Sequence, residues 1–301
     1  MVKCKLSATS LLVAMIPSIF AQQFPSQYRT ETRLILVPVT VTDRRGALVT
    51  GLKPDAFVLT EEKSPQVIRS FSEQDVPCSV GIVFDLSGSM SNQLTSAKAA
   101  LKTFFTYAEP GDEASLTGFA DTPLVRTGFT SDFTSLITRI QFSPAGGNTA
   151  LIDAVHLAIG QMNHGANPRK ALLVISDGMD NHSRYSAREL MMLAAESDVQ
   201  IHTLSILPAP ANKKGLQLME SMRGAALLED VSDRTGGLHF TLRNPADMEE
   251  ASRRIGRAMR SQYVLGFAPA NTDQSGKWHR VQVKLRVPQT RVFARQGYYA
   301  R

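Results

Sequence analysis

Gly81-Ile-Val-Phe-Asp85-Leu-Ser87-Gly-Ser89-Met90 is the stretch whose reading decides the fold. An apolar run leads straight into an acid, and two hydroxyls follow at alternate positions. Residues 79–84 (Ser-Val-Gly-Ile-Val-Phe) read as a short, fully buried strand, because a continuous apolar run of this length suits a sheet covered on both faces. Asp85 sits where that strand ends. Ser87 and Ser89 lie in the loop before the next helix, for which Ser91 or Asn92 is the expected cap. A carboxylate and two hydroxyls at the carboxyl end of a parallel strand form a hard-oxygen cluster, and such oxygens suit Mg²⁺, Mn²⁺ or Ca²⁺.

Two distant stretches complete the cluster. Gly146-Gly-Asn-Thr149 is a loop that delivers a hydroxyl at the start of a helix running from Ala150. Ala171-Leu-Leu-Val-Ile-Ser176-Asp177-Gly178 is a second buried strand that ends in an acid. Asp-x-Ser-x-Ser, then a loop Thr, then a strand-end Asp resembles the metal-ion-dependent adhesion site of von Willebrand factor type A domains. All five positions match: Asp85, Ser87, Ser89, Thr149 and Asp177. The resemblance covers about residues 78–262. It implies an α/β, doubly wound, mostly parallel Rossmann-like sheet and a bound Mg²⁺ (or Mn²⁺ or Ca²⁺). It also implies an open metal position that takes an Asp or Glu carboxylate from a partner protein.

Residues 1–21 read as an export signal. Lys3 and Lys5 supply the positive start, Leu6 to Ile16 is mostly apolar, and Ala21 is the expected cleavage point. The apolar run is too short to span a bilayer as a helix. No later run is long and apolar enough either, so the expected mature chain is soluble, without a transmembrane segment, and periplasmic or extracellular. Of the two cysteines, Cys4 leaves with the signal and Cys78 stays, so neither an internal disulfide nor a Cys-based metal site is expected. Losing Lys3 and Lys5 lowers the formal charge from +6 to +4. No basic patch is interleaved with aromatics, so nucleic acid is not an expected partner.

The chain ends read differently from the centre. In residues 29–76, Ile35, Val37, Val39 and Val41 alternate with Leu36, Pro38 and Thr40, a period-two strand. Phe57–Thr60 and Val67–Phe71 read as two further strands, with a turn at 61–65. The central region alternates strands and helices, which implies a parallel sheet between helices. In residues 264–300, Val281, Val283, Leu285 and Val287 alternate with polar residues, and 291–294 reads as another strand. Three N-terminal strands bury little surface alone. The expectation is therefore that residues 29–76 and 264–300 build one small β-sandwich-like domain, with the central domain inserted at 78–262. Leu36-Val-Pro-Val-Thr-Val-Thr-Asp at the front and Gln296-Gly-Tyr-Tyr-Ala at the tail resemble an exported bacterial VWFA-related family of acidobacterial type.

Other features read plainly. Asp180 and His182 are candidates for the rim of the metal site, with solvated loop residues as the alternative. His156, His164, His202, His239 and His279 show no metal-ligand spacing. Arg253, Arg254, Arg257 and Arg260 share one helical stripe, by default a solvated face and otherwise a dock for an acidic partner. Two rival functions are weighed. One is a structural envelope domain with an unused motif. The other is a phosphohydrolase resembling the haloacid dehalogenases, which need an acid two residues after the first Asp. Here that position is Ser87, and a hydroxyl cannot do that acid–base work. A Gly-x-Ser-x-Gly elbow is absent, so a serine hydrolase has no support.

Overall fold

Both faces of the strand at 78–85 are covered by helices. The structure is a computed structural model that describes residues 34–73, 75–207, 215–269 and 276–300, and these fall in one compact unit. The export-signal reading of residues 1–21 lies outside the described residues. In chain order the elements are β1 (Ile35–Asp43), β2 (Phe57–Glu61), β3 (Ser64–Gln66) and β4 (Ser70–Glu73). The central region follows with β5 (Cys78–Asp85), α1 (Leu94–Phe105), β6 (Glu113–Phe119), β7 (Pro123–Thr130), α2 (Phe133–Gln141), α3 (Leu151–Gln161), β8 (Arg169–Ser176), α4 (Ala187–Glu196), β9 (Gln200–Ile206), α5 (Gly215–Thr235), β10 (His239–Leu242) and α6 (Met248–Arg260). The chain closes with β11 (Tyr263–Phe267), β12 (Trp278–Leu285), β13 (Thr290–Ala294) and β14 (Gly297–Tyr299).

The central sheet has the order β10-β9-β8-β5-β6-β7. Neighbours are parallel throughout, except that β7 runs antiparallel to β6 at the edge. All eight residues of β5 and all seven of β9 are buried, as inner strands covered on both faces are, and in β9 this encloses the polar side chains of Gln200, His202, Thr203 and Ser205. Successive side chains part to opposite sides. Val80, Ile82 and Phe84 pack under α1, α2 and α6, together with Leu173 and Ile175 of β8. Val83, Leu172 and Val174 pack under α3, α4 and α5. Phe84 is wholly buried, and truncating such a ring costs about 3–5 kcal/mol. β5 is followed in space by β6 on one side and β8 on the other, so strand order reverses at β5. Open α/β sheets bind ligands at such a switch point, outside the carboxyl ends of the strands.

The two chain ends interleave. β13-β1-β11-β4 form one antiparallel sheet and β14-β12-β2-β3 another. Each takes two strands from before the central region and two from after it. Val37, Val39, Val41, Phe57 and Leu59 share a core with Tyr263, Leu265, Phe267, Val281, Val283 and Tyr298. The Phe57 and Tyr263 rings meet edge to face at 5.1 Å. The Tyr263 hydroxyl donates to the Val49 carbonyl and accepts from Leu52 N–H, each at 3.0 Å. The α/β sheet is thus inserted in a small β-sandwich built from both ends of the chain. The threonines of β1 also explain themselves. Thr40 is buried under the central domain, where Gln262 Nε2 donates to its Oγ1 at 3.3 Å and to Gln200 Oε1 at 2.6 Å.

Two local expectations need correction. The expected strand at Val67–Phe71 is split. Glu62 and Lys63 both take positive φ (47° and 69°), the geometry of a two-residue hairpin. Ser64–Gln66 therefore folds back on Leu59–Glu61, Val67 is 72% exposed, and the chain crosses to the other sheet before pairing resumes at Ser70. Neither Ser91 nor Asn92 caps α1. Gln93 holds that position without a side-chain bond, because residues 88–90 form a 3₁₀ turn and Ser91 Oγ donates to the Gly88 carbonyl at 2.7 Å.

Candidate metal centre

Three loops meet beyond the ends of β5 and β8. The first is the 3₁₀ turn after β5. Asp85 is wholly buried. Its Oδ1 accepts the Ser87 N–H at 2.8 Å and its Oδ2 accepts the Ser176 hydroxyl at 2.6 Å. Met90 N–H bonds to the Ser87 carbonyl at 3.1 Å. That turn is satisfied by backbone groups, which leaves both serine hydroxyls to converge, and Ser87 Oγ and Ser89 Oγ are 3.0 Å apart.

The second loop carries Thr149, and it is stitched to the first. Gly88 N–H donates to the Gly147 carbonyl at 3.1 Å, and Gly146 N–H to the Leu86 carbonyl at 2.8 Å. Gly147 has φ +82°, a left-handed conformation that suits glycine. Asp121, from the turn between β6 and β7, accepts both the backbone and side-chain N–H of Asn148, at 3.0 and 2.8 Å.

The third loop follows β8. Asp177 is wholly buried, and its Oδ1 accepts the Met179 N–H at 3.1 Å. Asn181 then clasps Thr149. Its Oδ1 accepts Thr149 N–H at 2.9 Å, and the Thr149 carbonyl accepts Asn181 and His182 N–H at 3.0 and 3.1 Å. Asp180 Oδ1 accepts Leu151 N–H at 2.9 Å, Ile152 N–H at 3.4 Å and the Ser183 hydroxyl at 2.5 Å. This carboxylate caps α3 from a neighbouring loop, where its charge also suits the helix N-terminus. Of the two rim candidates, Asp180 therefore has a structural duty, and His182 is exposed.

The electrostatics follow from this burial. Desolvation first, and the Asp177 charge next, push the Asp85 carboxyl up to about 7, against the lowering effect of the Ser176 and Ser87 hydrogen bonds. Two carboxylates brought together away from water are relieved by a proton on one of them or by a bound cation. Among the described residues no three His, Cys, Asp or Glu side chains gather into a metal-holding group, so hydroxyls must supply the rest of any divalent site here. Two acids with three hydroxyls are an all-oxygen donor set. They fit Mg²⁺, Mn²⁺ or Ca²⁺ and not a thiolate- or imidazole-seeking metal.

Sequence reasoning missed the roles of Ser176 and Asp121, and it read Asn181, beside the motif loops, as a solvated loop residue. Ser176 left a signal, a lone hydroxyl ending an apolar strand. Asp121 and Asn181 left none, since turn acids and amides are common. The remaining candidates have local duties. His156 stacks on Tyr185 at 3.9 Å, and His202 Nδ1 accepts Leu238 N–H at 3.0 Å. Arg253 and Arg254 pair with Glu250, Arg260 with Asp75 and Asp112, and Arg257 lies over the Tyr107 ring. Much of the arginine stripe's charge is thus met within the chain.

A doubly wound sheet with these three loops at its switch point is the fold of a von Willebrand factor type A domain. Residues 80–179 match the family model of that domain. Over 211 residues the chain is 21% identical to an uncharacterised protein of Borreliella burgdorferi, covering 64% of this chain and 62% of that one. It thus spans less than two thirds of that relative's length. Among solved structures it is similar to a von Willebrand factor type A protein from Catenulispora acidiphila, with 13% identity, 91% of this chain and 74% of that one covered, and a TM-score of 0.51. It is also similar to proximal thread matrix protein 1 from the mussel byssus, with 14% identity, 74% and 50% covered, and a TM-score of 0.50. At these identities the structural likenesses speak for the fold.

Proposed function

We propose that this protein is an exported, divalent-metal-dependent protein-binding module and not a catalyst. The observation that carries the reading is the pair of hydroxyls, Ser87 Oγ and Ser89 Oγ, 3.0 Å apart beside two buried acids. In this reading Ser87, Ser89 and Thr149 are neutral ligands, and Asp85 and Asp177 bind directly or through water while orienting the serines. Mg²⁺ is the ion best matched to so few charges, with Mn²⁺ or Ca²⁺ as substitutes. When bound, it supplies an electrophilic position that an Asp or Glu carboxylate of a partner protein completes.

Catalysis is disfavoured by Ser87, which stands where a phosphohydrolase of the rival type needs an acid. Export rests on the Lys3/Lys5 start, the apolar run to Ile16 and Ala21. No helix among the described residues is long and apolar enough to cross a membrane. Kinship with the exported acidobacterial-type family belongs to the same proposal, on the strand-rich ends that bracket the domain. The test is capture of envelope proteins on the immobilised chain with Mg²⁺ and with EDTA, for wild type and Asp85→Ala. Capture that depends on Mg²⁺ and on Asp85 supports the reading. Capture indifferent to both would move the binding surface elsewhere.

A further inference from the structure

Asp177 is followed by Gly178, whose φ of +79° is a conformation that side chains other than glycine's rarely adopt. The backbone of Gly178 lies directly on the N-terminal half of α5. A Cβ built on Gly178 would stand 2.8 Å from Ala225 N and 3.0 Å from the Ser221 carbonyl oxygen. A Cβ built on Gly224 would fall inside the Gly178 carbonyl. Two glycines therefore let a helix and a ligand loop meet backbone to backbone.

α5 is anchored through its C-terminal half. Thr203 Oγ1 of β9 is 2.9 Å from Ser232 Oγ, and Ile201 N–H donates to Thr235 Oγ1 at 3.0 Å. The Arg234 carbonyl accepts Gln296 N–H at 3.1 Å, and the Arg234 guanidinium lies over the Trp278 ring at 5.5 Å. With that half held and Leu228 and Val231 packed in the core, a methyl added at 224 presses directly on the Gly178 carbonyl and so on residues 177–179.

We propose that Gly224, which offers no ligand, is a positioning residue for the metal centre: its bare backbone sets where Gly178, and so Asp177, sits. The inference rests on the metal-binding reading above and extends it to an element that reading does not use. Mg²⁺ demands near-ideal octahedral geometry, whereas Ca²⁺ tolerates irregular and larger cages. A displaced Asp177 therefore weakens Mg²⁺ more than Ca²⁺.

The test is calorimetric titration of the full chain with Mg²⁺ and with Ca²⁺. Gly224→Ala is expected to bind Mg²⁺ about 10- to 100-fold more weakly, the scale of lost support around a metal ligand, with a smaller loss for Ca²⁺. Gly160→Ala is the control, since a Cβ there meets nothing within 4 Å, and it should leave both affinities unchanged. Equal losses for the two ions, or no loss, in folded Gly224→Ala overturn the proposal. If that variant does not fold, hydrogen exchange of the wild type decides. Slowing of amides 221–228 on Mg²⁺ addition supports the proposal, and their indifference while residues 85–91 slow overturns it. Absence of any Mg²⁺ response anywhere in the wild type removes the metal reading itself, and this inference with it.

Discussion

The Ser176 hydroxyl donates to Asp85 Oδ2 at 2.6 Å and accepts Gly178 N–H at 3.1 Å. It joins the ends of two adjacent parallel strands, β8 and β5, at the point where each delivers an acid. A hydrogen bond to a charged group is worth about 1.5–3 kcal/mol, and its loss leaves a buried acceptor unmet. Ser176→Ala is therefore expected to lower unfolding free energy by about that amount in urea melts at pH 8. A change below ~0.5 kcal/mol would mean that the bond adds nothing net.

Metal binding should appear as stability. A ligand that binds only the folded state at 100 times its dissociation constant adds about 2.7 kcal/mol. Saturating Mg²⁺ should raise the melting temperature of the wild type and leave Asp85→Ala unmoved. Thr149→Ala, which loses one neutral oxygen, should keep part of the shift. Circular dichroism of Asp85→Ala without metal should match the wild type, since β5 and β8 are packed by apolar contacts on both faces.

The sandwich should fail as a unit. Deleting 264–301 removes β12, β13 and β14 and nearly all of β11, which uncovers Val37, Val39, Val41, Phe57 and Leu59. Limited proteolysis of the truncated chain is expected to clear residues 34–73 first and to spare 78–262 longer. A protease-resistant N-terminal fragment would show that the two halves stand alone.

Acid should weaken the fold through His202. Burial first, with the Arg169 charge adding, drives this imidazole down to about 3 from an ordinary 6.5. The folded state refuses a proton that the unfolded chain accepts. The penalty is therefore absent above about pH 7 and grows by about 1.4 kcal/mol per pH unit between 6.5 and 3. In metal-free protein the raised Asp85 works in the opposite direction, since the folded state takes up its proton near pH 7, before the unfolded chain does. A comparison at matched pH cancels that effect. His202→Asn keeps an acceptor for Leu238 N–H and should flatten the decline between pH 6 and 4. Parallel pH profiles for the two proteins would refute this.

Asp180 serves α3. Asp180→Ala should cost about 1 kcal/mol, the usual worth of a helix cap, read from denaturant midpoints. A loss of captured partner larger than the loss of folded protein would return Asp180 to the rim.

Much of the fold was legible in the linear chain. Residues 80–84 and 171–175 are continuous short runs without charge, which suit strands covered by helices on both faces. The alternation at 35–41 and 281–287 left two half-buried strand groups that each lacked a covering layer. The five candidate ligands carried their own signal in a short spacing and two strand-end positions. What the sequence by itself determined, then, was local: element type, buried faces, and which oxygens stand at strand ends. The tertiary structure decided what depends on distant partners. It gave Asp180 to the N-terminus of α3, clasped Thr149 with Asn181, joined Asp85 to Ser176 and set Gly224 against Gly178. Hydrogen bonds and backbone contacts between segments dozens of residues apart leave no periodicity in either one, so their pairing exists only once the sheet has placed the strand ends side by side.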